Sequence, residues 1–239
     1  MCIRDSFEDD AEEKVERFYE FIDQHRDFWV GLNMAGREDD NRGYAARFTD
    51  VYDRMLRKYP GIGISIHAGE AEKRDTQIFD TLRLGATRIG HGINLFQDEK
   101  TMQVMRGEKF LVEINLISNE LLGYVPDLDK HPFPIYLRQG IAVCLNTDDR
   151  GMWHSNMTDE YYVAVSRYNL SWKELISLGE NSLVYSFLDE EEKMQLVSEY
   201  NEDLSVFADS CLKEGWREVA ASTDAVTYDY GRDKLGLTI

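Results

Sequence analysis

The chain has 239 residues, 43% hydrophobic and 12% aromatic, enough for one sizeable core. With 45 acidic against 27 basic residues its formal charge is -18, a field that repels phosphate backbones and anionic membrane surfaces and argues against nucleic acid or membrane partners. Three cysteines, Cys2, Cys144 and Cys211, are too few for a disulfide framework and leave no Cys-x-x-Cys zinc site, and no stretch approaches the roughly 20 apolar residues of a membrane-spanning helix.

In chain order, residues 1–6 do not read as the start of a domain. They are expected to be a foreign leader, with residues 7–239 the C-terminal part of a single domain whose own beginning is missing. Residues 11–26 have helical periodicity and lead into a short apolar run at 28–32 that ends at Met34, Ala35 and Gly36. A second helical stretch, 44–58, precedes the run 62–66, which ends at His67. A helix over 76–84 is followed by the run 87–90, ending at His91, and a helix over 99–106 by the run 110–115, leading to Ser118 and Asn119. The segment 134–139 precedes the run 141–146, which ends at Asp148 and Asp149. Beyond it the chain reads as helical, best at 158–168, 171–181 and 189–212.

Short apolar runs that alternate with amphipathic segments are the signature of βα units on a parallel sheet. The run-ends fall at positions 36, 67, 91, 118 and 148, a regular pitch that suits either a barrel or a doubly wound sheet. The acidic runs at 8–13 and 189–192 read as solvated helix faces. Cys144 reads as a small core hydrophobe, and Tyr161, Tyr162 and Phe187 as core. His25 is expected on an exposed helix face, His131 in a bland loop, and His154 within possible reach of the site.

The chemistry sits at the run-ends, which in a barrel share one mouth. His67 is followed three residues later by Glu70, across Ala68 and Gly69. Imidazole suits zinc, and a carboxyl group in a dry pocket can shuttle a proton. Taken alone, a packed His67 and a helix-capping Glu70 serve equally well. His91 lies between Gly90 and Gly92, glycines that suggest close approach of a ligand or of a second chain segment. Asp148 and Asp149 are adjacent carboxylates that repel unless a proton or cation lies between them, although such a pair is also a common helix cap. Three such motifs on successive strand ends favour a shared site.

These motifs, His-Ala-Gly-Glu at 67–70, Arg-Ile-Gly-His-Gly at 88–92 and Asn-Thr-Asp-Asp at 146–149, resemble the adenosine deaminase family of metal-dependent hydrolases. Looser matches at 34–36, 118–119, 121–123 and 180–182 lean toward its growth-factor-related branch. The resemblance implies an α/β fold, a (β/α)8 barrel of which about five C-terminal units and the final helices are visible. It implies zinc-dependent hydrolysis of adenosine or a related 6-aminopurine nucleoside to the 6-oxo product and ammonia; the expected location is the cytoplasm, with secretion left open because the true N-terminus is not visible. His67 and Asp148 would bind one zinc ion, and Glu70 would protonate purine N1. His91 would orient and deprotonate the attacking water, Asp149 would hold that oxygen and N7, and Gly36 would meet N3 through its backbone. The family also uses a His-x-His pair on its first strand. This chain has no His-x-His, so two further ligands are expected from an upstream segment. A barrel retained for binding or signalling without catalysis is the alternative.

Overall fold

The computed structural model describes residues 2–3, 9–36, 38, 43–71, 76–107, 109–222 and 228–237. Strand β1 (Cys2–Ile3) precedes helix α1 (Ala11–Gln24), then β2 (Gly31–Met34), α2 (Thr49–Lys58), β3 (Gly63–Ala68) and α3 (Gln77–Arg83). The alternation continues through β4 (Arg88–His91), α4 (Glu99–Met105), β5 (Leu111–Ile114), the short α5 (Leu116–Leu121), α6 (Phe133–Arg138) and β6 (Val143–Leu145). Helices α7 (Arg150–Trp153), α8 (Met157–Tyr168), α9 (Trp172–Val184), α10 (Glu190–Glu214), α11 (Trp216–Ala221) and α12 (Asp229–Asp233) complete the chain.

All strand pairs are parallel and the spatial order is β1-β2-β3-β4-β5-β6, the same as the sequence order. A doubly wound sheet reverses its strand order at a switch point. This sheet never does, so of the two architectures the sequence allows, the structure is the singly wound arc of an incomplete (β/α)8 barrel, with β1 and β6 at its edges among the described residues. The reading of residues 1–6 as a foreign leader falls on Met1 and residues 4–6, outside the described residues, and on Cys2 and Ile3, which pair with Asn33 and Met34.

Strand alternation sorts the side chains into two environments. Leu32, Met34, Ile64, Ile66, Ile89, Val112 and Ile114 are buried in the core beneath the surrounding helices. The opposite face carries Asn33, Ser65, Arg88 and Glu113. Asn33 donates to Ser65 Oγ at 3.1 Å, Ser65 Oγ donates to Glu113 at 3.4 Å, and Arg88 donates to Glu113 and, at 2.9 Å, to the Tyr185 carbonyl. At the strand beginnings the Phe187 ring lies where a side chain on Gly31 or Gly63 would stand, 2.4 and 2.2 Å from their ideal Cβ positions. Phe187 therefore closes the floor of the arc. On the edge strand, Asn181 of α9 donates to the Val143 carbonyl at 2.9 Å and satisfies an acceptor that would otherwise face outward.

The remaining expectations mostly hold. Cys144 is buried. Asp9, Asp10, Glu12 and Glu13 and the run 189–192 are exposed, with Glu8 outside the described residues. Tyr162 is a correction. It is 42% exposed, because the inward stripe of α8 runs through Glu160, Val163 and Ala164 and turns position 162 to solvent. No helix among the described residues is long and apolar enough to cross a membrane.

Candidate active site

The predicted residues stand at the C-terminal ends of the parallel strands. His67 is the penultimate residue of β3 and His91 the last of β4, so their imidazoles meet edge to face with centroids 4.8 Å apart. Gly90 pairs with His67 across the ladder. A Cβ at Gly90 would fall 2.8 Å from His67 Cδ2 and 3.2 Å from Cγ. The close approach that this glycine permits is therefore the ring of His67. Gly69 has φ +76, and a Cβ there would come within 2.5 Å of Asn94 Oδ1. It makes the turn that carries Glu70 back over the strand ends.

Glu70 Oε1 lies 3.3 Å from His91 Nδ1. Burial, reinforced by the carboxylates of Glu38 and Asp148, raises the Glu70 pKa to about 8. Burial also pushes His91 well below the ordinary imidazole range, helped by His67 and His131. The contact is accordingly between a protonated carboxyl and a neutral ring, and not an ion pair. His67, Glu70 and His91 each offer a ligand atom, all within 4.8 Å of one another. Asp148 lies outside that group. Ser118 Oγ donates to its Oδ2 at 2.6 Å. Asp149 occupies the N-cap position of α7, and Gly36 lies two residues beyond the Met34–Ile66 pair, at the same end of the sheet.

Two of the four left-handed non-glycine residues among the described residues lie here. His91 at φ 66 and Asp148 at φ 49 are left-handed without being glycine, a conformation that persists only where surroundings enforce it. Two carboxylates absent from the sequence reading hold neighbouring turns by their backbone N–H groups. Glu38 accepts from the backbone N–H groups of Gly69, at 2.8 Å, and Glu70, at 3.2 Å. Glu160, on α8 and 0% exposed, accepts from those of Leu116, at 3.0 Å, and Ile117, at 3.2 Å, fixing the turn that presents Ser118 to Asp148. Neither has a local motif. Glu160 could have been sought as a charge on the apolar stripe of a helix. His131 also departs from expectation: it is 2% exposed and bonded to Asn119 at 3.1 Å. His154 is exposed and pairs with Asp229, on the outer surface.

The donor set suits a divalent metal, since neutral imidazole and carboxylate are common zinc ligands. Two carboxyl groups, Glu70 and Asp148, repel one another across the cleft, which a cation would relieve.

A family model described as adenosine deaminase matches residues 1–203. Curated adenosine deaminases are similar over most of the chain. That of Enterococcus faecalis is 34% identical over 188 residues, 78% of this chain and 54% of its own. That of Erwinia tasmaniensis is 36% identical over 171 residues, 71% and 50% of the two chains. The chain thus spans about half the length of the curated relatives it matches. Among solved structures, an adenine deaminase from Arthrobacter aurescens superposes with a TM-score of 0.72 at 27% identity, covering 82% of this chain and 59% of that one. An N6-methyl-AMP deaminase from Arabidopsis thaliana gives 0.72 at 24%, covering 84% and 57%, and shares the fold.

Proposed function

The chain belongs to the adenosine deaminase family, and from that premise we propose that it contributes the proton-transfer residues and part of the metal site of a hydrolytic deaminase acting on 6-aminopurine nucleosides such as adenosine. The observation that carries this reading is the buried Glu70 in contact with His91 and grouped with His67 at adjoining strand ends, with burial raising the Glu70 pKa.

Each residue then has a task. Glu70 carries a proton at neutral pH and can deliver it to a ring nitrogen, which makes the neighbouring C6 more electrophilic. Asp149 accepts from donors on the substrate side of the mouth, and the Gly36 backbone meets N3. His67 and Asp148 would hold one zinc ion together with two ligands from outside this chain. A zinc ion there would supply Lewis acidity, lowering the pKa of a water from about 15.7 toward about 7. The buried walls exclude bulk water and strengthen every polar contact inside. We place the protein in the cytoplasm, in keeping with free cysteines at Cys144 and Cys211.

The test is turnover by the protein translated from the complete reading frame that encodes this chain. With zinc added, adenosine, 2′-deoxyadenosine, adenine and N6-methyl-AMP are assayed for the 6-oxo product. Deamination of at least one, lost in Glu70→Gln, supports the reading. No turnover of any 6-aminopurine overturns it.

A further inference from the structure

We infer that Asn119 and His131 are positioning residues that fix the tautomer of His91, holding its single ring proton on Nε2. The argument starts at a group that can only donate. The backbone N–H of Phe133 gives its hydrogen to His131 Nδ1 at 3.1 Å, so that nitrogen is bare. Burial lowers the His131 pKa to about 3, so the ring is neutral and its proton is on Nε2. His131 Nε2 lies 3.1 Å from Asn119 Oδ1 and donates to it. That bond settles which end of the Asn119 amide faces which way. Its NH2 group points at His91 Nδ1, 3.0 Å distant.

A second amide agrees. Asn115 Nδ2 donates to the Glu113 carbonyl at 3.4 Å and lies 3.1 Å from the same His91 Nδ1. Two amide donors are aimed at Nδ1, and the Glu70 carboxyl 3.3 Å from the same nitrogen keeps its own proton and needs none from the ring, so Nδ1 is an acceptor and holds no hydrogen. His91 and Asn119 are 1% and 0% exposed, so no solvent competes for these bonds, and reversing any one leaves a buried group unpaired.

The consequence, which rests on the deaminase reading, concerns the role of His91. In this tautomer the ring presents a donor from Nε2, while its lone pair is covered by amides. It can orient an attacking oxygen by donating to it, but has no bare nitrogen with which to take that oxygen's proton. The base role that the resemblance assigns to His91 then passes elsewhere, and Glu70 can take it only as the carboxylate left after its own proton has gone to the ring nitrogen.

The test reads the proton directly and needs neither metal nor substrate. Long-range 1H–15N correlation on the chain, labelled with 15N-histidine, distinguishes the two tautomers of each neutral ring. Histidine-to-glutamine variants at His25, His67 and His154 assign three of the five signals, and the His131→Gln variant separates His131 from His91. The expected result is the Nε2–H pattern for both His91 and His131. Asn119→Asp replaces the donating amide with a second acceptor and is expected to move the His91 proton to Nδ1 while His131 keeps its pattern. His131→Gln retains a donor toward Asn119 and is expected to preserve the wild-type His91 pattern, whereas His131→Leu produces a mixture. An Nδ1–H pattern for wild-type His91 overturns the inference, as does an Asn119→Asp variant that leaves the tautomer unchanged. The wild-type spectrum decides the proton's place even if a variant fails to fold, and it does so whether or not the protein proves to be a deaminase.

Discussion

Replacing Gly90 with alanine tests how the two histidines are packed. The added Cβ would stand 2.8 Å from His67 Cδ2, 3.2 Å from Cγ and 3.3 Å from the His67 Cα. Relaxed carbon contacts fall at about 3.5–4.0 Å, so the ring must retreat by roughly half an ångström or more while its own backbone limits the movement. Overpacking of this kind costs about 1–3 kcal/mol. Loss of glycine from the unfolded chain offsets about 0.4–1 kcal/mol of that. The net expectation is destabilisation by up to about 2.6 kcal/mol, or a fall in Tm of up to about 10 °C for a chain of this size. Because the displaced ring is a proposed ligand, zinc affinity should fall about 10- to 100-fold, the range seen when a ligand's support is lost. Urea unfolding and competitive zinc titration read the two effects. Gly151→Ala, where nothing lies within 4 Å, is the control and should be neutral or stabilising. A Gly90→Ala variant equal to the parent in both stability and zinc affinity would refute the packing argument.

Other perturbations follow from the same geometry. Glu160→Gln keeps the shape but turns an amide N–H2 toward one of two backbone donors, and should cost about 1–3 kcal/mol by urea unfolding; no loss would mean that Glu160 does not hold the turn. Phe187→Ala leaves the floor between Gly31 and Gly63 empty. It should destabilise by about 2–3 kcal/mol, below the 3–5 kcal/mol of a fully buried phenylalanine, because Phe187 is only half-buried. The metal-free chain should also show a stability plateau in pH. Glu70 and Glu160, both raised from 4.5 to about 8, bind more protons folded than unfolded between those values, so their contribution is present at low pH and lost as pH rises. His91 and His131, both lowered from 6.5, do the reverse and destabilise as pH falls below 6.5. The opposing slopes cancel between about 4.5 and 6.5. Above 6.5 the carboxyl groups act alone, and stability should decline by at most about 2.7 kcal/mol per pH unit toward pH 8. Chemical unfolding at stepped pH checks this, and a rise in stability from pH 6.5 to 8 would contradict the buried, protonated state of both glutamates.

What could be read from the sequence was whatever a local pattern encodes. Apolar runs with amphipathic neighbours located five strands, and the polar residue at each run-end located the mouth. Pattern alone left barrel and doubly wound sheet open, because strand order depends on pairing between distant segments. The same limit applies to the site. His67 and His91 lie in short motifs flanked by glycine, whereas Glu38, Glu160 and His131 act through groups 31 to 44 residues away, or through Asn119, 12 residues away. His131 stands before Pro132 and reads as a loop residue. In the fold it is buried and bonded to Asn119 of α5. His154 fails in the opposite sense: it follows the aspartate pair closely, but its left-handed backbone, φ 51, directs it outward to Asp229.

The central claim is that these strand ends hold a metal and use Glu70 to deaminate a purine. The most direct measurement is ammonia release from adenosine by the protein of the complete reading frame, before and after removal of metal with a chelator and again after zinc is restored. Activity that disappears with the metal, returns with zinc and is at least about 100-fold lower in Glu70→Gln is the predicted result. Ammonia release that persists without metal, or is unaltered by loss of the Glu70 carboxyl, would contradict it.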